Sequence, residues 1–212
     1  PSRGLGDVYK RQDHYINIDV SDTMFDAFLE TNKVYLVPNR SLDCYFLRCD
    51  ITLGVPLPSE YYHTVYHCHF LEHLDNQQGW KFLQECWRIL APGGTMRVVV
   101  PDLELWCKSY VEKRMEFLTW YQTQLDSNPT LYSTPGQILM GHLQGWQHKM
   151  AYDFDTLEHL LTTLGFTNIV QGMYGVSNVP EIEFFEKDPV RERESICVEC
   201  VKPLTLVNKS IS

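Results

Sequence analysis

From Tyr15 onward the chain alternates short β-branched runs with stretches whose apolar residues recur every three to four positions. Tyr15-Ile16-Asn17-Ile18-Asp19-Val20 is of the first kind and closes beside an acid. Thr23 to Glu30 carries a short helical pattern, and Val34 to Val37 an extended one closed by Pro38-Asn39. Tyr45-Phe46-Leu47-Arg48-Cys49 is the next strand candidate and stops at Asp50. A loop containing Gly54, Pro56, Pro58 and Ser59 leads to the extended run His63-Thr64-Val65-Tyr66-His67-Cys68. Between Gly79 and Leu90 the apolar side chains at 80, 82, 83, 86, 87, 89 and 90 keep helical spacing. Ala91-Pro92-Gly93-Gly94 stops that helix, and Thr95 to Val100 is the most strand-like run in the chain.

The second half has a different texture. Leu103 to Leu125 reads as one long aromatic-rich helix, and Ser127 to Trp146 as turn-rich and irregular. Asp155-x-x-Glu158 has the form of a capping box opening an amphipathic helix to Leu164, which Gly165 ends. Phe166 to Val170 and Ile196 to Val201 read as late strands, with the charged stretch Glu181 to Glu194 a solvated loop between them. Strands near 16–20, 45–49, 63–68, 95–100, 166–171 and 196–201, interleaved with helices, predict an α/β sandwich with a mostly parallel sheet.

Composition narrows the class. The 212 residues, 44% hydrophobic and 21% charged, suit one globular domain with a sizeable core. With 27 acidic against 18 basic side chains the net charge is −9, which argues against nucleic-acid partners and polybasic membrane binding. No apolar run reaches the roughly 18–20 residues of a membrane span. The seven cysteines are odd in number and scattered, so a reducing cytoplasm is the expected location.

The N-terminus stands apart. Asp7-Val8-Tyr9-Lys10-Arg11-Gln12 resembles the in-frame translation of a transposon-end sequencing adaptor, so residues 1–12 are read as a non-native peptide outside the fold. Gly4-Leu5-Gly6 lies within it, with neither a preceding strand nor a following helix pattern, and is not read as a nucleotide loop. The domain is placed at 13–212.

The order of the pieces is more specific than any one of them. Val65-Tyr66-His67-Cys68-His69-Phe70-Leu71-Glu72-His73-Leu74 is followed by Glu85-Cys86-Trp87-Arg88-Ile89-Leu90-Ala91-Pro92-Gly93-Gly94 and then Val99-Val100-Pro101-Asp102-Leu103. This series resembles the class I S-adenosylmethionine-dependent methyltransferases of the type 11 group, strongly over 45–102. Lys149-Met150-Ala151-Tyr152-Asp153 and Leu160 to Phe166 fit the same resemblance. It implies a Rossmann-like three-layer sandwich whose last two strands form an antiparallel hairpin edge, with S-adenosylmethionine as cofactor. It also implies that Asp19 accepts from the ribose hydroxyls, and that Asp50, beside Ile51, accepts from the adenine amino group. The loop of His67, Cys68 and His69 would pass the methionine part. The family's first strand and Gly-x-Gly loop belong just before Tyr15, where the adaptor-like peptide stands. The sheet is therefore expected to lack its central strand, and the chain to be an inactive fragment of an active parent.

Residues 103–150 are the expected acceptor-binding cap, and a small molecule or glycan precursor the expected acceptor. His69, Asp102 and His148 are the candidate general bases for a hydroxyl or amine acceptor. A non-catalytic methyltransferase-like module is the alternative. A second alternative reads His69-x-x-Glu72-His73 as a zinc hydrolase motif, with Glu104 or Glu112 as further ligand. The strand-end context favours the methyltransferase order, and no metal is assigned. Cys197 and Cys200 lie three apart in a strand and so face opposite ways, which speaks against a metal pair.

Overall fold

The Thr95–Val100 run is apolar without alternation because it is covered on both sides. Met96, Val98 and Val100 pack with one core, while Val99 joins another on the opposite face. In the computed structural model, which describes residues 7–11, 14–19, 35–39, 44–48, 51–125, 129–179 and 182–204, this run lies in β6 (Leu90–Pro101). β6 pairs in parallel with β5 (Tyr62–Cys68) and antiparallel with β8 (Ser195–Val201), whose outer neighbour is the antiparallel β7 (Thr167–Gly172). On the far side, β2 (His14–Asp19) is parallel to β4 (Cys44–Arg48), and β3 (Tyr35–Asn39) runs antiparallel at the edge. The order is β3-β4-β2-β1-β5-β6-β8-β7.

The sequence leaves the place between β2 and β5 without a candidate, and the structure fills it. β1 (Asp7–Arg11) runs antiparallel to both neighbours, with Val8 opposite Asn17 and Tyr66, and Tyr9 opposite Ile16 and Val65. The expectation of a missing central strand is corrected here, since an extended segment between two exposed edges gains ladder bonds on both sides. All six expected strands are present, and β7 with β8 makes the expected hairpin edge. The helix expected at 23–30 lies outside the described residues.

α1 (Asn76–Ile89) and α5 (Phe154–Leu164) cover one face through Phe82, Leu83, Ile89, Leu157 and Leu161. A capping box between Asp75 and Gln78 opens α1. At its far end the chain turns back through Gly93 at φ +78 and Gly94, where a Cβ would stand 2.8 Å from the Ala91 carbonyl oxygen. α5 opens two residues earlier than its sequence suggests. Asp153, in extended backbone, accepts from the Thr156 N–H, so the Asp155/Glu158 pair is not the cap. Cys197 and Cys200 fall in separate cores on the two faces.

Three departures concern the second half. The long aromatic stretch is two helices, α2 (Leu103–Val111) and α3 (Met115–Leu125), separated by a turn with Lys113 at φ +51. The stretch read as irregular contains α4 (Pro135–Gln144), opened by a capping box between Thr134 and Gln137 with Pro135 in the first turn. The charged loop contains α6 (Ile182–Phe185) and α7 (Pro189–Glu194), the latter capped by Asp188.

Arg97 explains why that charged stretch is not solvated. Its side chain, wholly buried on β6, donates to both Glu186 carboxylate oxygens at 2.6 Å and to Glu199 at 2.8 Å. It donates further to the carbonyls of Met173 and Val176. The segment after β7 is thereby tied across the sheet face that Val179 and Ile182 cover. Glu186→Ala is expected to cost about 3–5 kcal/mol in denaturant unfolding, because it leaves a buried guanidinium short of its counter-charge. Glu192→Ala, at an exposed position of α7, serves as the comparison; equal losses from the two would show that Arg97 gains nothing from Glu186.

Candidate active site

Because β1 opposes both β2 and β5, those two run the same way, as do β4 and β6. Their carboxyl ends share one edge, along which Asp19, Arg48, Cys68 and Pro101 close their strands. The strand order reverses between β2 and β5, and open α/β sheets take ligands outside the carboxyl ends at such a switch point.

His69, the first residue past β5, is turned into the left-handed region (φ +52) and held there by a 2.8 Å bond from its N–H to the Val99 carbonyl. Such backbone is costly for a non-glycine residue and persists only where its surroundings enforce it. The turn swings the chain into a short 3-10 segment, Leu71–His73, and buries Glu72. The Glu72 carbonyl accepts from the N–H groups of Lys149 (2.8 Å) and Met150 (3.1 Å), fastening the end of β5 to the segment after α4. A second left-handed pair, Trp146 and Gln147, precedes His148 there.

Four histidines and two acids meet at this seam. His69 Nε2 lies 2.7 Å from Ser195 Oγ, and its Nδ1 is 3.5 Å from Glu72 Oε1. His73 Nε2 approaches the same carboxyl oxygen at 3.8 Å. The rings of His73 and His148 stand edge to face, 5.0 Å apart. His148 Nδ1 is 2.9 Å from the His142 carbonyl, which can only accept, so Nδ1 carries the proton and a neutral ring keeps its lone pair on Nε2. His142 stacks on Trp106 at 3.9 Å, and its Nδ1 is 3.0 Å from the Tyr121 hydroxyl. Glu194, the last residue of α7, comes within 4.0 Å of the same nitrogen.

Burial sets the charge states. Desolvation pushes Glu72 and Glu194 up to about 8, so both are mainly protonated at neutral pH. The same cause lowers His142 to about 3 and His148 to about 4, and holds His69 well below its ordinary value, with Arg191 and the neighbouring histidines adding repulsion. The cluster therefore holds its imidazoles neutral at neutral pH.

Of the candidate bases, His69 and His148 are brought to one cluster and Asp102 is not. The Asp102 carboxylate caps α2, accepting from the N–H groups of Glu104 and Leu105. Burial raises it above the usual carboxylate value. Among the expected cofactor residues, Asp19 closes β2 on the switch-point edge, and Asp50 lies outside the described residues. Ile51 is part of the main core. His67 is wholly buried edge-on against Phe82, and Cys68 is buried on the opposite face, within 3.4 Å of Arg191. The zinc hydrolase motif lacks its helix, because left-handed His69 and the 3-10 turn keep His69 and His73 off a common helical face. The sequence does not single out His142, Glu194 or Ser195. Thr134-Pro135-x-Gln137 and Asp188-Pro189 were the available signals, since they start the helices that carry His142 and Glu194.

A methyltransferase domain family model matches residues 3–98, a span that contains β1, β2, β4 and β5 and most of β6. The chain also resembles a solved S-adenosylmethionine-dependent methyltransferase of Archaeoglobus fulgidus. Identity is 16%, the alignment covers 88% of this chain and 75% of that one, and the TM-score is 0.51. The chain thus carries a methyltransferase-domain match over residues 3–98 and the fold of S-adenosylmethionine-dependent methyltransferases. A Thermotoga maritima methyltransferase aligns over 88% of this chain and 72% of its own, at 17% identity and TM-score 0.49. Comparison with curated proteins gives no match. S-adenosylmethionine is the cofactor named for that Archaeoglobus fulgidus enzyme. Among the described residues no helix is long and apolar enough to cross a membrane.

The described residues fit part of that cofactor's requirements. An acid closes β2 at the switch point, and β5 ends beside it in a constrained turn. The backbone cradle for the methionine end is another matter. β1 runs against the other central strands, so its carboxyl end (Arg11, opposite His14) lies at the far edge and leads to β2 rather than to a helix N-terminus.

His67 supplies a clean pH test, because neither ring nitrogen has a hydrogen-bond partner among the described residues. Burial lowers it from 6.5 to about 3. Between those values the unfolded chain binds a proton that the folded chain refuses, so stability falls as pH drops through that window. His67→Phe is expected to flatten the slope by up to about 1.4 kcal/mol per pH unit in urea unfolding from pH 6.5 to 4. An unchanged slope would mean that the imidazole is solvated.

Proposed function

We propose that the chain belongs to a methyltransferase acting on a small-molecule or glycan-precursor acceptor, with residues 103–150 as the acceptor-binding cap. The observation that carries this reading is the junction of the cap's His142 and His148 with His69 at the end of β5, beside the switch point. The cofactor supplies an electrophilic methyl on sulfur. The acceptor heteroatom displaces S-adenosylhomocysteine in line, and the acceptor proton must leave. His69 and His148, kept neutral by burial, can take that proton; Asp102 is engaged in capping. In-line transfer gains most from alignment, which a cap packed on the strand ends supports. Asp19 is assigned to the ribose and Asp50 to adenine. A cytoplasmic setting agrees with the seven scattered cysteines.

For the chain as it stands, the antiparallel course of β1 favours a second reading, a non-catalytic methyltransferase-like module. Calorimetric titration with S-adenosylmethionine separates the two. Replacing residues 1–12 by a parallel first strand and a Gly-x-Gly turn is expected to tighten binding a hundredfold or more. Several backbone hydrogen bonds, each worth about 1 kcal/mol net and more toward a charged group, are restored. Asp19→Ala in that protein is expected to weaken binding about tenfold or more. Equal binding with and without the replacement would remove the argument from β1, and an indifferent Asp19→Ala would remove the ribose assignment. Transfer of labelled methyl to a hydroxyl- and amine-bearing acceptor panel by the replaced protein supports catalysis; tight donor binding without any transfer supports the module.

A further inference from the structure

Glu72 is 1% exposed, and neither of its carboxyl oxygens has a hydrogen-bond partner among the described residues. A carboxyl group so placed is costly unless something completes its coordination. The groups facing it are ring nitrogens. One oxygen of Glu72, one nitrogen of His73 and one of His148 all lie within 4.8 Å of one another. We propose that Glu72, His73 and His148 bind a divalent cation of the zinc class.

Donor chemistry and orientation agree. Two imidazoles and a carboxylate are a familiar zinc ligand set that leaves a fourth position for water or an acceptor heteroatom. His148 donates its Nδ1–H to the His142 carbonyl, which presents Nε2 as the ligand atom. Such an outer bond fixes a ligating ring's tautomer and direction. His73 directs its Nε2 toward Glu72. Zinc bonds of about 2.0–2.1 Å put tetrahedral neighbours about 3.4 Å apart. Glu72 and His73 already stand at 3.8 Å, so closure needs only small side-chain rotations. The His73 side chain is 21% exposed, which leaves an approach for the ion. His69 turns Nδ1 to the same Glu72 oxygen at 3.5 Å, with its Nε2 bonded to Ser195, and does not share the common point of the other three groups. The site differs from the linear His69/Glu72/His73 motif, because its third ligand comes from the cap, 75 residues beyond His73 in sequence.

The test uses the full chain, stripped with a chelator and dialysed against zinc or cobalt. One ion per chain is expected, with the visible absorption of tetrahedral cobalt, and X-ray absorption of the zinc form showing two imidazoles and no sulfur. Glu72→Gln, close in shape, and His148→Ala are each expected to weaken binding at least tenfold, while the exposed His63→Ala leaves it unchanged. No stoichiometric ion, sulfur in the coordination shell, or wild-type affinity in folded Glu72→Gln would each overturn the assignment. The X-ray absorption result decides the matter even if the variants fail to fold, and none of these readouts depends on methyl transfer.

Discussion

A guanidinium with no water around it organises the back of this molecule. Arg97 sits mid-sheet on β6, and its five donors can be satisfied only if acids and carbonyls are brought to it. Glu199 comes from the adjacent β8, but Glu186 and the carbonyls of Met173 and Val176 belong to the segment beyond β7. Satisfying Arg97 thus pulls that segment over Tyr66 and Cys68 and fixes where α7 begins. From α7 the consequences reach the opposite end of the sheet. Arg191 lies against Cys68, Glu194 reaches His142, and Ser195 meets His69. A buried ion pair is weak evidence for stability, but here its loss would free the element that supplies one wall of the site.

The wall it meets is built from strain and burial. His69, Trp146 and Gln147 all take left-handed backbone, and they flank the two hydrogen bonds that join the end of β5 to the segment after α4. Left-handed turns redirect the chain sharply, which places Glu72 inward and the His73 and His148 rings edge to face. Burial then makes the imidazoles poor proton carriers and the acids poor proton donors, inverting their usual order at neutral pH. A cluster of that composition, neutral ring nitrogens beside a buried carboxyl, offers lone pairs to a cation.

Much of this was legible in the sequence, for identifiable reasons. Runs such as Thr95–Val100 and Ile196–Val201 are buried on both faces, so their apolar character announces strands whatever surrounds them. Gly93-Gly94 is legible because only glycine fits the close return after α1. The break at Lys113 was not legible, since aromatic spacing continues across it and the fold imposes the turn. α4 and α7 were missed because their polar residues resemble a loop's; Glu186 and Glu194 are buried only because Arg97, Tyr121 and His142 await them. His69 and His148 were each singled out by position, but their convergence with Glu72 is a tertiary fact carried by the Lys149 and Met150 hydrogen bonds.

Strand direction at the centre of the sheet separates having the fold from having the site. Backbone pairing is nearly indifferent to direction: an antiparallel Asp7–Arg11 closes both ladders, opposite Asn17 and Tyr66 at Val8 and opposite Ile16 and Val65 at Tyr9. A strand placed that way pairs with both neighbours and leaves β2, β4, β5 and β6 to present their carboxyl ends together. It does not do what a parallel strand would, because the turn that follows a central strand emerges at its carboxyl end. In β1 that end is Arg11, across from His14 and away from Asp19. Any glycine cradle for the donor's methionine end must come from a strand running the other way. The carboxyl end of β2 and the histidine cluster after β5 depend on strands that run parallel to β4 and β6, and so are built whichever way the central strand runs.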